Sequence, residues 1–124
     1  MMLDASALLA YLQQEQGYLQ VEQILSTAFI STVNWCEVAQ KLRSRSVDDT
    51  AVRENLAILG LRFIAFDLQH ADKAAELWQI TSPLGLSLGD RAYLATGLIE
   101  GMPVMTADQI WQKIPLSLEV NLIR

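Results

Sequence analysis

Residues 86–108 constrain the fold of this chain more than any other stretch. Ala92, Leu94, Ala95, Leu98 and Ile99 recur at the spacing of one helix face. Gly89 and Asp90 open that helix, Gly101 stops it, and Pro103 bars its continuation. Val104, Met105 and Thr106 then form a short apolar strand, with Asp108 just beyond its end. One acid therefore opens a helix, and another sits past the C-terminal end of a strand. Open α/β sheets gather their ligand sites at that kind of place.

The same alternation runs through the whole chain. Met1 to Leu3 reads as a buried first strand ending on Asp4. Ala7, Leu8, Tyr11 and Leu12 make a helix face, and Tyr18 to Leu25 a second helix. Ala28 to Ser31 is a four-residue strand of small and β-favouring residues. A helix beginning at Asn34 follows, with Trp35, Val38, Ala39 and Leu42 on its apolar face. Asp48 and its neighbours make a turn and cap before a helix to Leu59, which Gly60 ends. Leu61 to Phe66 is a strand, and Asp67 caps the helix after it. A short helical turn around Trp111 leads to a terminal strand, Glu119 to Ile123. The expectation is one α/β domain over residues 1–124. Its central sheet has about five short, mostly parallel strands flanked by helices.

Composition narrows the chemistry. A hydrophobic fraction of 52% excludes a disordered chain. No apolar run approaches the roughly 18–20 residues of a membrane span. Residues 5–12 are apolar enough for a signal-peptide core. But Asp4 precedes them without any Lys or Arg, so the expected location is cytoplasmic. With one cysteine, Cys36, and one histidine, His70, neither an internal disulfide nor a zinc or histidine-rich site can form. Any metal must be held by oxygen, which selects Mg²⁺ or Mn²⁺. The net charge of −5 argues against a protein that coats nucleic acid through charge alone. It leaves room for a nuclease with an acidic centre, or for a basic partner.

Asp4, Glu37, Asp90 and Asp108 all lie at or near helix starts, three of them directly after a strand. In a parallel sheet these positions share one edge. Each acid alone has a plain structural role. Asn34 with Glu37 and Thr106 with Gln109 fit capping boxes, Ser87 with Asp90 is a near variant, and Asp4 suits an N-cap. Gathered on one edge, however, four anions repel one another unless a cation or partner compensates. Three or four carboxylates hold one or two Mg²⁺ or Mn²⁺ ions. Two such ions about 3.5–4 Å apart can activate water and stabilise the leaving oxygen of a phosphodiester.

At these residues the chain resembles the PIN-domain ribonucleases, and among them the VapC-like toxins of toxin–antitoxin pairs. The matching pieces, in the family's order, are residues 3–6, 30–31 through 37–39, 86–91 and 103–108. The resemblance implies a metal-dependent endoribonuclease with Asp4, Glu37, Asp90 and Asp108 as its acidic set. It implies Ser6 and Thr106 as supporting hydroxyls, a cognate VapB-like antitoxin that blocks the site, and commonly a homodimer.

Lys41, Arg43, Arg45 and Arg91 are candidates for RNA phosphate contacts. The first three also suit the C-terminal end of a helix as dipole partners. Trp35, Trp78 and Trp111 fall at apolar helical positions and are expected in the core, as is Cys36. His70 is expected at a helix start. A receiver-type switch, with Asp67 as acceptor, lacks the Lys it needs after a late strand. A haloacid-dehalogenase-like phosphatase lacks its second Asp, since position 6 is Ser. A PIN fold kept only for binding would have lost acids, and none is lost.

Overall fold

The computed structural model describes residues 1–124. The elements run β1 (Met2–Leu3), α1 (Ala5–Leu12), α2 (Tyr18–Ile24), β2 (Phe29–Ser31), α3 (Thr32–Ser44) and α4 (Asp49–Ile58). They continue with β3 (Arg62–Ile64), α5 (Leu68–Glu76), α6 (Trp78–Thr81), α7 (Leu88–Glu100), β4 (Val104–Thr106) and β5 (Val120–Leu122). Short 3-10 turns follow α2, α6 and β4.

The strands form one sheet in the order β3-β2-β1-β4-β5, and every pairing is parallel. The chain builds outward from β1 on one side, then crosses to β4 and β5 on the other. The order therefore reverses between β1 and β4, where open α/β sheets leave a crevice at their C-terminal edge.

Side chains alternate across the strands and divide the core into two layers. Leu3, Ile30 and Met105 pack with Leu8, Val21, Val38 and Leu56 under α1–α4. Met2 and Val104 pack with Tyr93, Leu94, Leu77 and Trp111 on the opposite face. Burial on both faces explains why the strands read as short apolar runs without polar alternation.

The junctions carry the signals expected of them. Asp4, Asp48 and Asp67 cap α1, α4 and α5, and Ser87 with Asp90 closes a capping box on α7. Gly101 ends α7 in the left-handed region, φ +63°, which a side chain would strain.

Four expectations fail. Helix α3 begins at Thr32, two residues early, because Ser31 caps it through Val33 N at 3.2 Å. Strand β2 runs into α3 without a loop, so the cap falls on the strand's own last residue and Asn34 lies inside the helix. Thr106 and Gln109 form no box; Asp108 caps the 3-10 turn through Ile110 N. Cys36 is exposed. Trp78 is 56% exposed, while Trp35 and Trp111 are buried. Helical spacing identified an apolar face for Trp78, but no element covers it.

Candidate active site

Asp4 ends β1 at the reversal point. It is only 6% exposed, yet all its partners are neutral donors. Oδ1 accepts from Ala7 N at 2.9 Å and from the Ser6 hydroxyl at 2.7 Å, and Oδ2 accepts from the Thr106 hydroxyl. The two hydroxyl oxygens accept in turn from β4 and its exit: Ser6 from Ala107 N and Thr106 from Asp108 N, both at 3.0 Å. Each hydroxyl has one hydrogen, and both hydrogens go to Asp4. The network therefore presents a carboxylate that is fully oriented but not neutralised. Burial, opposed by the three hydrogen bonds and aided by the charge of Asp90, pushes the Asp4 carboxyl up to about 6.

Asp90 is the third residue of α7. Its Oδ2 accepts from Ser87 N at 2.9 Å, and its own N–H donates to Ser87 Oγ at 3.2 Å. Its charge acts on Asp4 and also on Glu37. Glu37 lies in the second turn of α3, half-buried. Burial raises its proton affinity, the Asn34 hydrogen bond lowers it, and Asp90 raises it again. Its Oε1 accepts from Asn34 Nδ2 at 2.8 Å. A Cβ on Gly89 would lie 2.6 Å from that oxygen, so a side chain there would require the Glu37 carboxylate to move.

The structure thus brings Asp4, Glu37 and Asp90 into one electrostatic group. Asp108 is tied to it only by its backbone N–H on Thr106, and its exposed carboxylate turns to Ile110 N. No three acidic, histidine or cysteine side chains close on a single point. The carboxylates of Asp90 and Asp108 are each engaged by a capping bond, to Ser87 N and Ile110 N. None of the five ion pairs in the molecule involves any of the four acids. An all-oxygen, partly buried, uncompensated donor set suits a hard divalent cation.

The surroundings are mixed. Glu37 walls an open cleft of about 560 Å³ shared with Cys36, Phe66 and Leu88. Arg91 follows Asp90, but its guanidinium donates to Leu86 O at 3.0 Å and steadies the turn before α7. Lys41, Arg43 and Arg45 lie on the last turn of α3 and beyond it, all exposed. Arg43 is paired with Asp49 at 2.9 Å. Tyr93, one turn after Asp90, is buried with its hydroxyl unpartnered, and burial and the Asp4 charge raise its pKa well above normal. His70 sits at the start of α5 as expected. It is buried and bound to Asp67 and Glu100, away from the acids.

Two features escaped the sequence reading. Asn34 was legible only as a cap. Gly89, a poor residue for a helix's first turn, was a usable signal of close approach.

The chain belongs to the PIN domain family, whose pattern matches residues 1–116. No curated protein matches it in sequence. Among solved structures it is similar to a toxin–antitoxin complex from Klebsiella pneumoniae, with 20% identity, TM-score 0.79, and 99% and 97% of the two chains covered. It is also similar to FitAcB from Neisseria gonorrhoeae, with 16% identity, TM-score 0.71 and coverage of 98% and 96%. A third is VapC20 of Mycobacterium tuberculosis, a sarcin–ricin-loop-cleaving toxin, with 16% identity, TM-score 0.68 and coverage of 90% and 92%. At these identities the likeness shows a shared fold.

Proposed function

We propose that this chain is a Mg²⁺- or Mn²⁺-dependent endoribonuclease acting as the toxin of a toxin–antitoxin pair. The observation that carries the reading is the uncompensated group of Asp4, Glu37 and Asp90 at the point where the sheet order reverses. Buried charges are normally paired. Here repulsion among three carboxylates is retained, as a cation site requires.

Asp4, Asp90 and Glu37 would hold the cation, with Asp108 at the rim, and a cation held there would supply water activation and neutralisation of the charge developing on the phosphodiester. Ser6 and Thr106 keep both oxygens of Asp4 in fixed orientation, so the donor set is organised before substrate arrives. Glu37 keeps one oxygen clear of Asn34, faces the cleft, and has raised proton affinity; that oxygen can take a proton from the attacking water. Lys41 stands one turn beyond Glu37 on the same helix face and is the first candidate for an RNA phosphate contact. Arg45 and Arg91 come next, and Arg43 last, because Asp49 already engages it.

A VapB-like antitoxin fits the exposed apolar side chains Leu19 on α2 and Val47, Ile58 and Leu59 at the two ends of α4. The similarity to toxin–antitoxin complexes supports the same partner. Its basic residues would reach the carboxylates. Exposed Leu68, Trp78 and Leu88 on the other side suit a homodimer. No helix is long and apolar enough to cross a membrane, and a cytoplasmic site of action completes the reading. The test is cleavage of a structured RNA with Mn²⁺ or Mg²⁺ and with EDTA. Cation-dependent cleavage, lost in a folded Asp90→Asn protein, is expected; full cleavage by that variant refutes the assignment.

A further inference from the structure

We propose that Asn34 is a positioning residue that fixes the separation between Glu37 and the Asp90 turn, by gripping the Glu37 carboxylate and the Gly89 carbonyl with one amide. This rests on Glu37 and Asp90 belonging to the cation site.

Asn34 is 2% exposed and lies in the first turn of α3. Ser31 already caps that helix, so Asn34 serves no capping need, and Asn is a weak residue for a helix interior. Its Nδ2 donates to Glu37 Oε1 at 2.8 Å and to Gly89 O at 3.0 Å. The two hydrogens of one planar group thus bind a side chain of α3 and the backbone of α7. The residue after Gly89 is Asp90.

The other end of the amide supports this reading. Asn34 Oδ1 is buried without a hydrogen-bond partner. Reversing the amide would set its oxygen against a carboxylate and a carbonyl, and leave both hydrogens unused. The demands of Glu37 and Gly89 therefore decide the orientation, and an unpaired carbonyl is accepted in return.

Gly89 completes the clamp. With a Cβ there, the Glu37 carboxylate could not occupy its place, 2.6 Å from that atom. The negative charge of Asp90 pushes Glu37 away from α7, and the hydrogen bond from Asn34 opposes that push. Removing the amide frees Glu37 to swing into the open cleft, so the donor set loses its spacing while every carboxylate remains.

The test is calorimetric titration of Mn²⁺ into wild-type protein, Asn34→Ala, Glu37→Ala and the double variant, with metal-free thermal melting of each. Asn34→Ala is expected to weaken Mn²⁺ about tenfold in the wild-type background, as loss of a ligand's supporting hydrogen bond does. In the Glu37→Ala background it is expected to cost less than about twofold, because the group it holds is gone. Asn34→Leu keeps the volume, removes both donors and adds no charge, and gives the same pattern if the alanine variant is poorly folded. Equal losses in both backgrounds overturn the clamp and leave the cation site standing. Wild-type protein that binds no Mn²⁺ overturns the cation site, and the proposal with it.

Discussion

Asp49 and Asp4 are nearly equally buried, 8% and 6% exposed, and both stand at helix starts. Asp49 is satisfied the usual way: the Arg43 guanidinium meets its Oδ1 at 2.9 Å. Asp4 has two hydroxyls, one backbone N–H and no cation, with a second carboxylate acting on it. The fold can neutralise a buried acid with its own side chains, and at Asp4 it does not. Burial is common to both residues, so it does not distinguish them; the missing counter-charge does, and it supports the proposed cation-binding role of Asp4.

The sharpest way to break this contrast is to neutralise each acid in turn. Asp4→Asn keeps the size and an acceptor oxygen, and the hydroxyls of Ser6 and Thr106 can rotate to suit the new amide. RNA cleavage is expected to fall about 100- to 1,000-fold, the range for losing a charge stabiliser at a reacting centre. Metal-free stability is expected to hold or rise, because repulsion with Asp90 is relieved. Asp49→Asn should do the opposite. Its stability falls by about 1 kcal/mol with the lost charged hydrogen bond, and cleavage stays near wild type. Cleavage assays beside urea unfolding decide it. An Asp4→Asn protein that is destabilised and still active would make Asp4 another Asp49.

The contrast also has a pH signature. The Asp4 carboxyl stands near 6 when folded, against 3.8 as its ordinary value. A folded-state pKa above the unfolded one adds stability that is complete below about pH 4 and is lost as pH rises through about 6. The difference of two pKa units corresponds to at most about 3 kcal/mol. In EDTA, stability is therefore expected to decline between pH 4 and pH 6, less steeply in Asp4→Asn. Glu37, also raised, adds in the same direction. A saturating divalent cation binds the ionised form and should offset most of this decline, adding about 2.7 kcal/mol at 100 times its Kd. Urea midpoints across pH, with EDTA and with Mg²⁺, measure both arms. Identical slopes for wild type and Asp4→Asn would remove Asp4 as their source.

Much of this site was legible in the sequence because acids directly after short apolar runs have few places to go. Met2-Leu3-Asp4 and Val104 to Asp108 each read as a strand with an acid beyond it, and a parallel sheet puts such ends on one edge. Strand order was not legible. A two-residue β1 carries no signal of its neighbours, so the adjacency of β1 and β4, which lets Thr106 reach Asp4, came only from the fold. The pattern Asn34-x-x-Glu37 imitates a capping box, and the competing cap at Ser31 could not be weighed without knowing that β2 joins α3 directly. Periodicity placed Trp78 on an apolar helix face, but it could not tell that nothing in this chain covers it. Cys36 was expected to be buried from its residue type alone, and its place in α3 leaves it exposed.

The smallest expected effect tests the spacing of the acids rather than their charge. Gly89 occupies the second position of α7, where alanine is ordinarily the better residue by up to about 1 kcal/mol. Its φ is not in the left-handed region, so the backbone raises no objection. The obstacle is the Glu37 carboxylate, whose atoms lie 2.6–2.7 Å from a Cβ placed there. That carboxylate ends a flexible side chain on a half-buried wall, so it can move aside at little cost to the fold. Gly89→Ala should therefore leave metal-free stability unchanged or slightly raised. It should weaken divalent-cation affinity and cleavage by about tenfold, the scale of a disturbed ligand support. The opposite signs separate the two demands on this turn, since helix propensity favours alanine and only the approach of Glu37 favours glycine. Melting curves with and without Mn²⁺ read both at once. A Gly89→Ala protein that gains stability and binds Mn²⁺ as tightly as wild type would show that Glu37 tolerates displacement, and that the close packing of α3 on α7 serves the core alone.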